Sequence, residues 1–210
     1  MNNVNKPLYI PLYGKALVSK KGLFINDEKA EQIWMREGFS LKGKSKSKYL
    51  AYYMGMRCAV FDDFTRQKMK QMPDAAVICI GCGLDGRCIR VNDSKHLWYD
   101  VDLPEVIKER RLYYDQTPFY KMINGDARKS DWLECISEKS AIVIMEGVSM
   151  YLTPDEMLTL IRNLNKRFEN VVLLADFYST FAAKMSKYKN PINDVGVTTA
   201  YGMDDPYSIQ

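Results

Sequence analysis

From residue 75 onward the apolar residues gather into five short runs, at 75–80, 96–101, 120–124, 141–146 and 171–177, separated by segments long enough for helices. Short continuous apolar runs suit strands buried on both faces, and helix-length spacers suit the crossovers that join parallel strands. The pattern predicts an α/β fold: a central, mostly parallel sheet with helices on both faces. Ahead of residue 75 the pattern changes. Asn26 or Asp27 is placed to cap a helix running to about Glu37 and stopped by Gly38, and Ser47 to cap a longer one to about Met72. The expected division is a helical N-terminal cap over residues 1–73, integral to a single domain, and a sheet-containing core over residues 74–210, with the boundary near Pro73-Asp74. At 210 residues, one core buries roughly 70% of the unfolded surface, so neither disulfides nor a structural metal is required.

Several function classes are disfavoured at once. The longest apolar run spans about six residues, against the ~18 that cross a bilayer, so no membrane span or membrane partner is expected. The first thirty residues alternate polar and apolar groups, without the apolar segment of a secretory signal. An odd set of five cysteines, four in segments with a buried pattern, fits a reducing cytoplasm. Cys79-Ile80-Gly81-Cys82 has redox or zinc spacing, but no second pair follows and His96 is the sole histidine, so no metal site is expected. The net charge of +4 and the pI of about 8.7 come from interleaved acids and bases, which leaves no nucleic-acid footprint. The exception is Lys42-Gly43-Lys44-Ser45-Lys46-Ser47-Lys48, a solvated loop, or else a mobile lid or anion-contacting segment.

In an open parallel sheet, ligands sit beyond the carboxyl ends of the strands. The first run leads into Gly81-Cys82-Gly83-Leu84-Asp85-Gly86, a G-x-G-x-x-G turn whose missing side chains let backbone approach a ligand. Dinucleotides and S-adenosylmethionine both use such turns. The second run ends in Asp100-Val101-Asp102, where a carboxylate accepts ribose hydroxyls, although Asp102 is also placed to cap the helix opened by Leu103-Pro104. The third is followed by Gly125-Asp126-Ala127-Arg128, within reach of an adenine amino group, and the fourth ends at Glu146, suited to an amino-acid moiety. Thr153-Pro154-Asp155-Glu156 supplies an N-cap, an N1 proline and a capping-box glutamate.

These segments, with Pro11-Leu12-Tyr13-Gly14-Lys15-Ala16, Asn26-Asp27-Glu28-Lys29-Ala30, Arg57-Cys58-Ala59-Val60-Phe61-Asp62, Glu146-Gly147-Val148-Ser149-Met150-Tyr151 and Gly202-Met203-Asp204-Asp205-Pro206, occur in an order that resembles the leucine carboxyl methyltransferase family over nearly the whole chain. That family contains O-methyltransferases acting on protein C-termini and others associated with polyketide biosynthesis. The resemblance implies a Rossmann-like class I methyltransferase fold and S-adenosylmethionine as cofactor, leaving as S-adenosylhomocysteine. It implies that Arg57 binds the cofactor carboxylate as a bidentate clamp, that Gly81 and Gly83 pass its methionine portion, that Asp102 or Asp100 holds the ribose, that Asp126 and Ala127 meet the adenine, and that Glu146 meets the amino-acid end.

The chain departs from the family pattern at Cys82, Gly86 and Asp100, where alanine, threonine and glutamate are usual, and by the 33 residues after Phe177, where a further helix and a closing antiparallel strand pair are normal. The expectation is therefore a sheet lacking that pair, in a fragment, beside a partner, or with an exposed last strand. Methyl transfer needs orientation more than acid–base chemistry, and His96, at the amino edge of the sheet, is poorly placed as a base. The expected acceptor arrives ionised, as a carboxylate or acidic hydroxyl of a polyketide-like small molecule or a peptide C-terminus, positioned by Tyr151. Tyr9, Tyr13, Tyr52 and Tyr53 line the crevice or else pack in the core. A homodimer is compatible with this reading. Its competitors are an NAD(P)-binding oxidoreductase and a shortened paralogue that binds cofactor without turnover.

Overall fold

The structure, a computed structural model, describes residues 6–38, 41, 43–91, 95–189 and 199–205. Three helices come first: α1 (Lys6–Lys20), α2 (Glu28–Glu37) and α3 (Lys48–Gln71). Then follow β1 (Ala76–Ile80), α4 (Arg87–Arg90), β2 (Trp98–Asp102), α5 (Pro104–Arg110), β3 (Tyr120–Asn124), β4 (Ser140–Met145), α6 (Pro154–Arg167), β5 (Asn170–Ala175) and α7 (Thr180–Lys189). The strands form one parallel sheet in the order β3-β2-β1-β4-β5. The order reverses between β1 and β4, and the chain leaves these two strands in opposite lateral directions, which opens a crevice at their carboxyl ends.

Side chains alternate across the sheet as a pleat demands. Val77, Cys79, Ile142 and Ile144 meet Leu12, Ala16, Ile33 and Phe61 of the first three helices. Ala76, Ile78, Val143 and Met145 meet Met157, Leu160 and Leu164 of α6 on the other face. The helix ends behave as their residues require. Asp27 caps α2 by accepting from Ala30 N, Gly38 closes it in the left-handed conformation, and Thr153 with Glu156 forms a complete capping box on α6. Ser47 sits at the N-cap of α3 without a side-chain bond.

Helix α1 contains Pro11 and no marked apolar stripe, and local pattern alone does not mark it as a helix. Tertiary contact sustains it. A Cβ at Gly14 would lie 2.8 Å from Met54 Cβ, and one at Gly55 2.7 Å from Val18 Cγ2, so the two bare backbones let α1 and α3 pack closely. Strand ends differ slightly from the apolar runs. β2 starts at Trp98, leaving His96 outside it with Nε2 3.2 Å from Met72 O. β5 ends at Ala175 rather than 177, because its partner β4 ends at Met145, opposite Ala175, where Gly147 turns away at φ 72°.

A helix does follow the fifth strand, and among the described residues no antiparallel pair closes the sheet. β5 is one edge and β3 the other, and β5 is half-buried from Val171 to Ala175. The lysine-rich run makes a single 3-10 turn, Gly43–Lys46, with Ser45 buried; Lys42 and the Lys44 side chain fall outside the described residues, and so does that part of the lid reading. Among the described residues no helix is long and apolar enough to cross a membrane.

Candidate active site

A cavity of about 550 Å³ lies over the carboxyl ends of β1, β2 and β4, roofed by Pro7, Leu8, Pro11 and Leu12 of α1. That volume is in the range of small-molecule sites. Its floor is the glycine turn. Gly81 and Gly83 hold φ of 66° and 52°, Gly81 N donates to Val101 O at 2.8 Å, and a Cβ on Gly81 would overlap Val148. The left-handed backbone disfavours other residues at both positions, and at Gly81 the space is taken as well. Gly86 does something else. It lies off the cavity, and a Cβ there would come 2.8 Å from Asp27 Oδ1, so its bareness lets the cap seat against the core.

The structure separates the two acids of β2. Asp100 is buried and satisfied by Arg110, by the Tyr120 hydroxyl at 2.7 Å and by Trp98 Nε1 at 3.0 Å. Arg110, itself fully buried, stacks 4.0 Å over the Tyr114 ring and donates to Gly83 O at 3.0 Å, so the Asp100–Arg110 pair props the glycine turn from behind. Asp102 faces the cavity. One oxygen accepts from Gly83 N and the other from Leu103 N, both at 2.8 Å, while Leu103 is the N-cap of α5. Burial raises the Asp102 carboxyl to about 6 against those two amide bonds. Asp126 and Ala127 line the cavity beyond β3, and Arg128 grips Asp126 at 2.6–3.1 Å, its hydrogen bonds holding that carboxyl below the usual range.

Glu146, one residue past β4, is the centre of a buried ion network. Lys15 lies 3.5 Å and Arg57 3.1 Å from its Oε1, and Arg87 pairs with Oε2. Burial alone would raise its pKa, but Lys15, Arg87 and Arg57 bring it down to about 2. Asp85 joins Lys15 at 3.0 Å, Arg87 at 3.2 Å and Arg90 at 2.9 Å. Arg90 reaches Asp27 and Asp62, Arg87 reaches Asp62 at 2.7 Å, and Arg57 reaches Asp176 at 2.9 Å. Four cations and five carboxylates thus join α1, α2 and α3 to the strand ends. Arg57 is fixed through Nε and Nη1, and Nη2 keeps its donors. Glu146 and Asp176 therefore each take one nitrogen of the guanidinium, and neither bond is to Nη2.

Tyr151 lines the cavity from a 3-10 turn, Ser149–Tyr151, its pKa raised to about 12 by burial and by Tyr178. The cap tyrosines do not line the cavity. Tyr9 donates to Glu109, Tyr13 packs on Trp34, Tyr52 on Phe24, and Tyr53 lies 5.9 Å under the Arg57 guanidinium. Burial pushes the Cys79 and Cys82 thiols well above their ordinary range. Cys58 Sγ and the carboxylates of Asp85 and Glu146 lie within 4.8 Å of one another, but lysine and arginine side chains already occupy those oxygens, and burial holds the Cys58 thiol at about 12.

Motifs marked Arg57, the glycines, Asp102, Asp126 and Glu146, and these converge on one cavity together with Lys15, Asp85 and Arg87, which motif spacing left unassigned. Lys15 and Asp85 lie inside the motif segments and Arg87 directly follows the glycine turn, but only the fold shows that they point inward.

A parallel sheet in this order, with a glycine turn after its first strand and an acid after its second, is the fold of the class I S-adenosylmethionine-dependent methyltransferases. It resembles, with a TM-score of 0.52 and 14% identity over 91% of this chain and 84% of the other, the magnesium protoporphyrin IX methyltransferase ChlM of Synechocystis PCC 6803 solved with bound S-adenosylhomocysteine. Residues 2–165 match the model of the leucine carboxyl methyltransferase family, and the chain belongs to that family of S-adenosylmethionine-dependent O-methyltransferases. It is 24% identical to the tetracenomycin polyketide synthesis O-methyltransferase TcmP of Streptomyces glaucescens, over all of this chain and 79% of the relative. It is also 24% identical to the S-adenosyl-L-methionine-dependent methyltransferase dpfgK of Gibberella zeae, over all of this chain and 78% of the relative. Membership sets aside the nicotinamide oxidoreductase.

Proposed function

We propose that the chain holds S-adenosylmethionine in the cavity above β1, β2 and β4 and methylates an oxygen that arrives as an anion, on a carboxylate or an acidic phenol. The carrying observation is that Asp102, Asp126 and Glu146, at the ends of three strands, line one cavity, which among the described residues holds no histidine. Asp102, anchored by two backbone amides, is placed for the ribose hydroxyls; Asp100, fully satisfied by Arg110, Tyr120 and Trp98, is not. Asp126 and Ala127 stand where the adenine would lie, and the Lys15–Glu146–Arg57 group suits a zwitterionic amino-acid end. The fit rests on the bare Gly81, where a Cβ would collide with Val148 of the cavity wall, and on Arg57, a lining residue whose Nε and Nη1 are held by Glu146 and Asp176.

When bound, S-adenosylmethionine supplies an already activated methyl on its sulfonium. The protein's part is to orient, and to exclude water by the apolar residues of α1. Among the described residues lining the cavity there is no histidine, Tyr151 is protonated far above neutrality, and in this reading Asp102 is taken up by the ribose hydroxyls and two backbone amides. An alcohol would find nothing to take its proton, whereas a carboxylate needs nothing. Tyr151 would steer the acceptor with its hydroxyl. Acceptors of this chemistry include polyketide-like acids and phenols, as the name of TcmP suggests, and peptide carboxyl termini. Labelled methyl transfer to fractionated small molecules and peptides tests the reading. Label on carboxylates or acidic phenols supports it, and label only on unactivated alcohols overturns it.

A further inference from the structure

Resting on the reading of Arg57 as the contact for the cofactor's carboxylate, we infer that Asp176 is a positioning residue that holds both Arg57 and the Glu146-Gly147 turn in their binding geometry. Asp176 follows directly on β5 and is absent from every motif found in the sequence. Its Oδ2 accepts from Arg57 Nη1 at 2.9 Å and its Oδ1 from Gly147 N at 2.6 Å. Its backbone carbonyl accepts from Ser149 Oγ. One residue thus ties the end of β5 to α3 and to the turn leaving β4, and its carboxylate engages Arg57 and Gly147 together. Asp176 itself does not line the cavity, while Arg57, Glu146 and Gly147 all do.

The geometry gives the arrangement a purpose. A lone Arg57 paired only to Glu146 through Nε could swing about that one bond. The second carboxylate, on Nη1, fixes the guanidinium plane and leaves Nη2 as the presenting nitrogen. Nη2 then packs on Gly147, 3.1 Å from where a Cβ would stand, and the Oδ1 bond to Gly147 N holds that glycine at φ 72°. The glycine is bare because the arginine lies against it.

Asp176→Asn tests the assignment, because an amide keeps the shape but must present its NH2 either to Arg57 or to Gly147 N, both donors. Binding of S-adenosylhomocysteine and of 5′-methylthioadenosine, which lacks the amino-acid end, is measured for the parent, for Asp176→Asn and for Arg57→Ala. Asp176→Asn is expected to weaken S-adenosylhomocysteine about tenfold or more and to leave methylthioadenosine within about twofold, with Arg57→Ala showing the same selectivity more strongly. Equal loss of both ligands would reveal only a loosened fold, and unchanged S-adenosylhomocysteine binding would remove any role, so either overturns the inference. If Arg57→Ala also binds both ligands like the parent, the carboxylate-contact reading fails as well.

Discussion

Placing a methyl on Gly81 tests the floor of the site in numbers. The backbone there has φ 66°, and forcing an L-residue into that region costs roughly 1–2 kcal/mol. The new Cβ would also overlap Val148 Cγ2 and lie 3.3 Å from Cγ1, a small-to-large insertion worth about 1–3 kcal/mol. Gly81→Ala should therefore destabilise the fold by about 2–5 kcal/mol. Gly22 provides the internal control. Its φ is 64°, yet a Cβ there meets nothing within 4 Å, so Gly22→Ala should show only the roughly 1–2 kcal/mol backbone cost. Urea unfolding followed by tryptophan fluorescence suits both variants, since Trp98 and Trp132 are fully buried. Repeating Gly81→Ala in a Val148→Ala background should recover the overlap part, because the colliding methyl is gone. If Gly81→Ala costs no more than Gly22→Ala, or the same with and without Val148, the steric account of the turn is wrong.

The pH dependence of Asp102 separates stability from binding. Its carboxyl is raised by burial from 3.8 to about 6, so the folded chain holds that proton more tightly; the stabilising contribution, about 3 kcal/mol, is fully present below pH 4 and lost as pH rises through 6. Urea unfolding of the parent against Asp102→Asn should show that slope in the parent alone. Affinity for S-adenosylhomocysteine should run the other way, falling about tenfold per unit below pH 6 as the ribose acceptor is protonated; a flat binding profile would argue against Asp102 as that acceptor. For Asp100→Asn, the buried Arg110 is left without its counter-charge, and a loss of about 3–5 kcal/mol in urea unfolding is expected, whereas a variant as stable as the parent would contradict a scaffolding role.

Sequence separation decided what could be read in advance. The capping box at Thr153 and Glu156, the Asp27 and Gly38 ends of α2 and the strand–glycine turn at residues 76–83 are made by groups a few positions apart, so residue type announces them. The central strands β1 and β4 were legible as continuous apolar runs because a strand covered on both faces has no polar side to interrupt it, whereas the edge strand β3 alternates around the exposed Lys121. Helix α1 was not, because its prolines and Gly14 speak against a helix locally, and only the close packing on α3 answers them.

The sequence by itself thus determined the class of fold, the crevice at the strand ends and the glycines and acids that line it, all consequences of period, turn chemistry and motif order. Only the tertiary structure decided which charges meet. Asp100 and Asp102 are two residues apart on one strand and both line the cavity, yet the buried Arg110 and the Tyr120 hydroxyl engage the first while backbone amides of Gly83 and Leu103 hold the second. Arg57 meets Glu146 and Asp176 across 89 and 119 residues of chain. A carboxylate costs too much to bury alone, so its partner is whichever cation the packing brings within a few ångströms, and that choice is made by the assembled layers rather than by any neighbour in the chain.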